Sequence, residues 1–202
     1  LKDAPSCHQA AFAYYKKVCE AVATFEPILV EEWIFHALGC GEEKTASEQG
    51  GRLVKHLRDR LAFQESRRVG LWTLSEKKRN VNNEYDAFLL NETAFTLKNL
   101  GEYEKAIIYY EHALNIDRSV FGESHHIAAR DLNNLGSAWR DFGQPAKAIE
   151  HYEQALSIVN EAVGDKYPNI VGTLMNNLGS AWNDKADYLK AIDYFERSLA
   201  IW

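Results

Sequence analysis

Apolar residues recur every three or four positions along most of the chain. Leu132, Leu135 and Trp139 follow this spacing, and so do Leu53 and Leu57. A helix turns once in 3.6 residues, so this spacing places the side chains on one face that can pack against a neighbour. The longest apolar runs, such as residues 28–30 and 33–35, are far shorter than the roughly 20 residues that cross a bilayer. The pattern predicts an all-α protein with no membrane segment or membrane partner.

The chain repeats itself with a long period. The seven residues 133–139 recur unchanged as residues 176–182, a shift of 43 positions. A second block, residues 148–153, recurs in similar form with the same shift, and residues 106–114 precede the matching block by 42 positions. Self-similarity at a fixed period is typical of arrays in which each repeat buries its apolar face against the next.

Each copy has four signature positions in its first helix: an apolar residue, then a Leu or Thr, then a small residue, then a large apolar residue. Its second helix has two, an Ala and an aromatic residue. The second copy has Leu132, Leu135, Gly136, Trp139, Ala148 and Tyr152. The third has Met175, Leu178, Gly179, Trp182, Ala191 and Phe195. The first, weaker copy has Leu90, Thr93, Ala94, Leu97, Ala106 and Tyr110. This arrangement resembles the tetratricopeptide repeat family.

The period is longer than the usual 34 residues of that family. Residues 121–128 and 163–170 form the extra link, and the resulting long repeat resembles the kinesin light chain subtype over residues 84–202. Gly136 and Gly179 are expected to let two helices of a hairpin approach closely. The aromatics Tyr152, Trp139 and their equivalents are expected to fill the space between hairpins.

The resemblance implies an α-α superhelix, a solenoid of antiparallel helix hairpins. Three hairpins are expected at about residues 84–120, 124–163 and 167–202, and a degenerate one at residues 46–83. In the degenerate hairpin, Ser66 and Gly70 stand where the first clear copy has Ala106 and Tyr110. Residues 1–45 show no repeat signature and are expected to form a non-repeat or capping hairpin, with helices over residues 9–24 and 26–38.

In this family the first helix of each hairpin lines a concave groove that binds peptides. By alignment, the groove residues would be Phe88, Asn91, Phe95, Lys98, Arg130, Asn133, Asn134, Ser137, Arg140, Thr173, Asn176, Asn177, Ser180 and Asn183. Asn91, Asn133 and Asn176 would form a ladder of amides, which can both donate to and accept from a peptide main chain. The alternative is that these asparagines satisfy backbone groups or simply face solvent.

The charge pattern suggests which partners the groove would take. The net charge is −6 and the sequence pI about 5.7, which argues against nucleic acid as a partner. On the inner helix faces, however, cations would collect: Arg52, Lys55, Arg58, Lys98, Arg130 and Arg140. A locally positive groove would favour an acidic peptide or protein segment. The open alternative is that the arginines pair with nearby acids such as Asp59 or Asp141.

Motifs for catalysis are missing from the sequence. It contains no glycine-rich phosphate loop, no Gly-x-Ser-x-Gly turn and no His-Glu-x-x-His pair, so we predict no enzyme, no cofactor and no metal. His125 and His126 align with Tyr167 and Pro168, which indicates a turn rather than a metal site. The three cysteines match no disulfide framework and are expected to be buried or half-buried thiols of a cytoplasmic protein.

The function predicted is that of a protein–protein interaction module that binds a peptide or protein segment. The alternative is a sensor or oligomerisation arm of a larger multidomain protein, for example a signalling ATPase. Because the sequence starts at Leu1, we expect it to be part of a longer chain. Because it stops at Ile201 and Trp202 without a polar cap, we expect further copies or self-association through the last hairpin.

Overall fold

The computed structural model describes residues 4–22, 24–77, 83–163 and 168–202, and within these ranges every regular element is a helix. The ten helices are α1 (Ala4–Ala21), α2 (Pro27–Cys40), α3 (Glu43–Asp59), α4 (Phe63–Glu76), α5 (Glu84–Asn99), α6 (Tyr103–Phe121), α7 (His126–Asp141), α8 (Pro145–Val163), α9 (Pro168–Asp184) and α10 (Tyr188–Leu199). The prediction of an all-α protein is confirmed. None of the helices in the described ranges is long and apolar enough to span a membrane.

The chain divides into two compact units, unit 1 (Leu1–Leu100) with α1 to α5 and unit 2 (Gly101–Trp202) with α6 to α10. In unit 1, α1 packs on α2, α2 on α3, and α4 and α5 both pack on α3 and on each other. Its core centres on Ile34, Leu53, Val54, Val69 and Leu89, all fully buried. In unit 2, each helix packs on the next one along the chain.

The helix ends in unit 1 are determined by residues at the ends themselves. Pro27 occupies the first turn of α2, where its missing N–H costs nothing, and Gly41 ends that helix with a left-handed φ of 83°. The Asn83 side chain caps α5, in a reciprocal box with Asp86. Several boundaries differ from expectation. The first helix spans Ala4–Ala21 rather than residues 9–24, the second ends at Cys40 rather than at residue 38, and α3 begins at Glu43, three residues before the expected boundary.

In unit 2, the glycines of the repeat receive aromatic rings. A Cβ built on Gly136 of α7 would lie 2.7 Å from the Tyr152 ring of α8, and one on Gly179 of α9 would lie 2.7 Å from the Phe195 ring of α10. Real Cβ atoms do not approach carbon this closely. Glycine at these positions is therefore what allows each hairpin to close.

The repeat tryptophans differ from the expected role of filling space between hairpins. Trp139 and Trp182 are only half-buried, and each ring lies under a lysine of the second helix of its own hairpin. Lys147 Nζ is 3.8 Å from the Trp139 ring centre and Lys190 Nζ is 3.9 Å from that of Trp182. The partly exposed ring face attracts the cation. These pairs hold the two helices of a hairpin together near the turn.

The degenerate hairpin of unit 1 closes in another way. Ser66 of α4 is fully buried, and its hydroxyl donates to the Val54 carbonyl oxygen at 3.0 Å. The same hydroxyl lies 2.8 Å from that of Thr96 on α5. A Cβ on Gly70 would overlap the Thr93 side chain. Small polar contacts thus replace the glycine–aromatic fit.

Two expectations about single residues can be compared with the structure. Cys19 and Cys40 are half-buried free thiols, as expected, but Cys7 is exposed because it lies on the outer side of α1. His125 lies directly before α7, and its Nδ1 accepts a hydrogen bond from the Ile127 N–H at 3.4 Å. This imidazole acts as a helix cap, consistent with the predicted turn.

Candidate functional site

Two of the predicted groove asparagines meet in unit 2. Asn177 Nδ2 on α9 donates to Asn133 Oδ1 on α7 across 2.8 Å, and both side chains are half-buried. The expected ladder placed Asn133 and Asn176 at equivalent positions of two hairpins, whereas the side chain bonded to Asn133 is that of the next residue, Asn177. Each amide keeps a further group for other partners, because Asn133 still has its NH₂ and Asn177 its carbonyl oxygen.

The remaining amides and hydroxyls around this pair are more exposed. Asn176 and Asn183 on α9 are exposed, whereas Asn134 and Ser137 on α7 are half-buried. The half-buried Ser180 donates its hydroxyl to the Asn176 carbonyl oxygen of its own helix at 3.0 Å. The structure therefore places Asn133 and Asn177 on adjoining parts of α7 and α9, with Asn176 exposed to solvent.

Arg130 forms ion pairs with two buried carboxylates. Its guanidinium lies 2.8 Å from Asp131 of α7 and 3.1 Å from Asp117 of α6. Asp131 is fully buried and Asp117 is 3% exposed, whereas Arg130 itself is half exposed. Buried carboxylates need a cation or hydrogen-bond donors nearby. Arg130 therefore stabilises the contact between α6 and α7, and this role comes ahead of any contact with a ligand.

Arg140 also has acidic neighbours within unit 2. Its guanidinium is 3.6 Å from Asp141 on the same helix and 3.7 Å from Asp184 on α9. The ion pair with Asp184 joins the same two helices as the asparagine pair. Pairs that are partly exposed to water contribute little energy each, so their main effect is to neutralise the surface.

In unit 1, three of the predicted cationic and aromatic residues come together. The Arg58 guanidinium of α3 lies 4.6 Å from the Phe95 ring centre on α5, and Lys98 Nζ lies 5.5 Å from the same ring. Arg58 also forms an ion pair with Glu92 and another with Asp59 at 2.7 Å. The patch formed by Arg58, Phe95 and Lys98 is amphipathic, and a carboxylate already faces its arginine.

Asn91 differs from its expected place in the groove. It is 7% exposed, and it lies on the side of α5 that also carries Ala87 and Ala94, both fully buried. Asn91 therefore lies deeper than the other predicted groove asparagines, which are half-buried or exposed.

The counter-ions alter the predicted charge of the groove. Arg52 pairs with Glu48 at 2.8 Å, and Arg58, Arg130 and Arg140 have the partners described above. The sequence comparison anticipated Asp59 and Asp141 but missed Glu92, Asp117, Asp131 and Asp184. Asp131 carried a signal, because it stands directly before Leu132 in an otherwise apolar helix face. The others are brought near by tertiary packing alone.

Comparison with known proteins gives the same fold. Two sequence profiles, both described as tetratricopeptide repeat, match residues 85–161 and 171–202. A search of curated protein sequences found no match. Among solved structures, BtubC (BKLC) from P. vanneervenii has a TM-score of 0.66 at 19% identity, covering 99% of this chain and 90% of its own.

Two other structures resemble the chain to a similar degree. The putative kinesin light chain repeats from Podosopora anserina give a TM-score of 0.70 at 18% identity, with 97% of this chain and 93% of that one covered. MamA 41-end from Desulfovibrio magneticus RS-1 gives 0.66 at 17% identity, with 95% and 94% covered. These likenesses reach into residues 1–45, where the sequence showed no repeat signature.

The profiles and the solved structures together confirm the predicted fold class, an α-α solenoid of the tetratricopeptide type with kinesin light chain-like relatives in structure. Repeats of this type are generally non-enzymatic scaffolds and indicate a protein–protein interaction module. The chain belongs to the tetratricopeptide repeat family.

Proposed function

We propose that unit 2 binds an extended peptide segment along α7 and α9, with Asn133 and Asn177 contacting its main chain. The observation that carries the proposal is the hydrogen bond of 2.8 Å between these two amides. It orients both side chains, and it leaves one NH₂ group and one carbonyl oxygen side by side. A peptide group offers the matching acceptor and donor.

The energy available suits a reversible binder. Each hydrogen bond contributes about 0.5–1.5 kcal/mol net, so a few of them leave most of the affinity to neighbouring side-chain contacts. Holding two amides in position before binding reduces the entropy lost on association. We therefore expect a Kd near the micromolar range, about −8 kcal/mol.

The preference for an acidic partner remains a subordinate prediction. Arg130 and Arg140 each lie close to two aspartates, so their combined positive field is small. We expect recognition by uncharged groups to dominate in unit 2. Replacing both arginines by glutamate tests the point: an acidic preference requires weaker binding of acidic peptides but unchanged binding of neutral ones.

The amide pair can be tested with peptides selected from a random display library on the wild-type chain. The double variant Asn133→Ala with Asn177→Ala should bind the selected peptides at least tenfold more weakly, measured by isothermal titration calorimetry. The matched control is Asn160→Ala on α8, an exposed amide outside α7 and α9. It should bind as the wild type does.

The amide pair also joins two helices, so folding must be checked separately. Circular dichroism should show a helical double variant with a free energy of unfolding lower by about 1 kcal/mol. Unchanged peptide affinity in that folded variant would contradict the proposal. The predicted alternative, a sensor or oligomerisation arm of a larger protein, stays a prediction.

A further inference from the structure

A cavity of about 370 Å³ lies inside unit 1, between α1, α2 and α3. Val30 and Trp33 of α2 and Gln49 of α3 line it, and each of these three residues is less than a tenth exposed. We call this space the α1–α3 cavity. Its volume falls in the range of roughly 300–1,000 Å³ that is usual for sites of small ligands.

The packing of α1 leaves room for the cavity. Helix α5 packs directly on α3, whereas α1, over the residues described, packs on α2 and makes no comparable contact with α3. The segment that follows α1 spans the gap instead. Its Phe25 lines the cavity and stacks on His56 of α3, with the ring centres 4.4 Å apart. The cavity is therefore bounded by consecutive elements of one unit.

Gln49 occupies a position that belongs to the core in the other hairpins. The alignment of the degenerate hairpin, a shift of 40, matches it to Leu89, which is fully buried. The third clear copy has Leu174 there, 1% exposed. The second copy has Asp131, whose carboxylate is paired with Arg130 at 2.8 Å. A polar side chain at this position therefore requires a partner.

The side-chain amide of Gln49 forms no hydrogen bond with any residue in the described part of the chain, although it is only 5% exposed. Buried amides are normally hydrogen-bonded, and leaving one unmatched is unfavourable. Because Gln49 lines the cavity, a molecule there can reach it. Its NH₂ group and carbonyl oxygen together match a group that carries both an acceptor and a donor.

The charged residues around the cavity disfavour an anionic ligand. The acids Glu20, Glu26 and Glu48 line it together with only two cations, Lys16 and Arg52. Arg52 is already paired with Glu48 at 2.8 Å. A carboxylate entering the cavity would therefore meet more negative than positive charge, whereas a neutral molecule avoids this cost.

We propose that the α1–α3 cavity binds a small neutral molecule that joins an amide group to an apolar part. The amide of the ligand pairs with that of Gln49, and its apolar part contacts Val30 and Trp33. The ligand touches α1, α2 and α3 at once, so its binding stabilises their packing. The site lies in unit 1 and does not depend on the peptide site proposed in unit 2.

The probe for the test is N-acetyl-L-leucinamide, which carries two neutral amides and an isobutyl group. Titrated into the ¹⁵N-labelled 202-residue chain, it should cause saturable shifts of the Trp33 indole N–H and Gln49 side-chain NH₂ signals in NMR spectra. N-acetyl-L-leucine, whose carboxylate replaces one amide, should bind at least fivefold more weakly. N-acetylglycinamide, which lacks the isobutyl group, should also bind at least fivefold more weakly.

Gln49→Leu separates ligand binding from folding. It introduces the residue that α5 and α9 carry at the aligned position, so the melting temperature should stay the same or rise, while the affinity for the probe falls at least tenfold. The matched control is Gln64→Leu on α4, an exposed glutamine outside the cavity, which should leave the affinity unchanged. A lower melting temperature with unchanged affinity would assign Gln49 a structural role only and overturn the proposal.

Cys19 provides an independent measurement, because its half-buried thiol lines the cavity whereas Cys7 on the same helix is exposed. Burial, and secondarily Glu20, raise the pKa of the Cys19 thiol, so N-ethylmaleimide should modify it slowly. Mass spectrometry should show that the probe slows modification of Cys19 at least fivefold and leaves Cys7 unaffected. Absence of saturable shifts, or equal protection of both thiols, would show that the cavity holds water only.

Discussion

The hairpin of α3 and α4 in unit 1 and that of α7 and α8 in unit 2 close with opposite chemistry. In unit 2, Gly136 of the first helix receives the Tyr152 ring of the second. In unit 1, the position aligned with Tyr152 is Gly70, which packs against Thr93 of α5, outside the hairpin; within the hairpin, the Ser66 hydroxyl of α4 donates to the Val54 carbonyl oxygen of α3. The α7–α8 hairpin thus closes with a ring in a glycine gap, and the α3–α4 hairpin closes with a hydroxyl bonded to a backbone carbonyl.

The comparison shows which structural requirement the repeat signature reflects. A glycine opposite an aromatic is one way to bring two helices close, and Ser66 bonded to the Val54 carbonyl is another. Both satisfy the same demand, which is close packing of the two helices. The helical-hairpin fold is therefore also present in unit 1, although the repeat signature is degenerate there. The predictions below test whether each region depends on its own kind of contact.

The largest effect is expected from Tyr152→Ala. This side chain is fully buried, and removing its ring opens a cavity between α7 and α8. Loss of a large buried aromatic costs about 3–5 kcal/mol. Guanidinium denaturation followed by circular dichroism measures the change in free energy of unfolding. Tyr188→Ala, at a position 61% exposed, is the control and should shift it by less than about 0.5 kcal/mol.

Gly136→Leu should be the next most harmful change, at roughly 1–3 kcal/mol. The new side chain would occupy the space of the Tyr152 ring and force α7 and α8 apart. Combining it with Tyr152→Val should recover part of the loss, since the smaller residue makes room. A double-mutant cycle measures this coupling, and strict additivity of the two changes would show that the close fit is unimportant.

Exchanging the two chemistries should harm both units. Ser66→Ala removes the bonds to Val54 and Thr96, and Ala148→Ser places a hydroxyl at the aligned, fully buried position of α8. We expect about 1–2 kcal/mol for each, because Ser66→Ala removes two buried hydrogen bonds and Ala148→Ser buries a hydroxyl in an apolar site. Thermal unfolding of the single variants provides the measurement. A neutral Ala148→Ser would mean that the two hairpins are interchangeable.

Lys147→Met should have a smaller effect, about 0.5–1 kcal/mol. It removes the cation above the Trp139 ring in unit 2 while preserving the length of the side chain. Hydrogen exchange of the α7–α8 turn should rise, and high salt should not reproduce the effect fully. Lys105→Met is the control in α6, since Lys105 pairs with Glu102 rather than with an aromatic ring.

The smallest effect is expected from pH, and in unit 1 it centres on α1 and α2. Burial lowers the pKa of His36, the neighbouring His8 lowers it further, and Glu32 opposes the shift. His8 Nδ1 lies 2.9 Å from His36 Nδ1, so the pair is best accommodated with at least one neutral ring. The unfolded chain thus binds the proton more tightly, and stability falls as the pH drops below about 6.5.

Hydrogen exchange of α1 and α2 at pH 7.5 and 5.5 measures this response locally. After division by the intrinsic exchange rate, which is itself slower at pH 5.5, the wild type should show lower protection of α1 and α2 at pH 5.5, and His36→Gln should remove most of the difference. A local readout is needed because burial also lowers the pKa values of His126 and His151 in unit 2. An unchanged pH response in His36→Gln would assign the effect to other groups.

Much of the candidate site was predictable, and the reason is local. Asn133 and Asn177 were identified because identical segments recur. The choice of Asn177 rather than Asn176 as the partner of Asn133 was not predictable. It depends on how far α9 is rotated and shifted against α7, which sequence spacing does not determine.

Sequence alone determined the helices, the repeat period and the close approach of two helices at Gly136 and Gly179, because those depend on residues close together in one repeating unit. Tertiary structure decided that Asn91 is buried, that Arg130 serves Asp117, and that α10 exposes Ile192 where α8 buries Ile149. Each of these depends on which other helix packs against the residue. Burial and the neutralisation of charge are properties of the contact between helices, so a single helix pattern specifies neither.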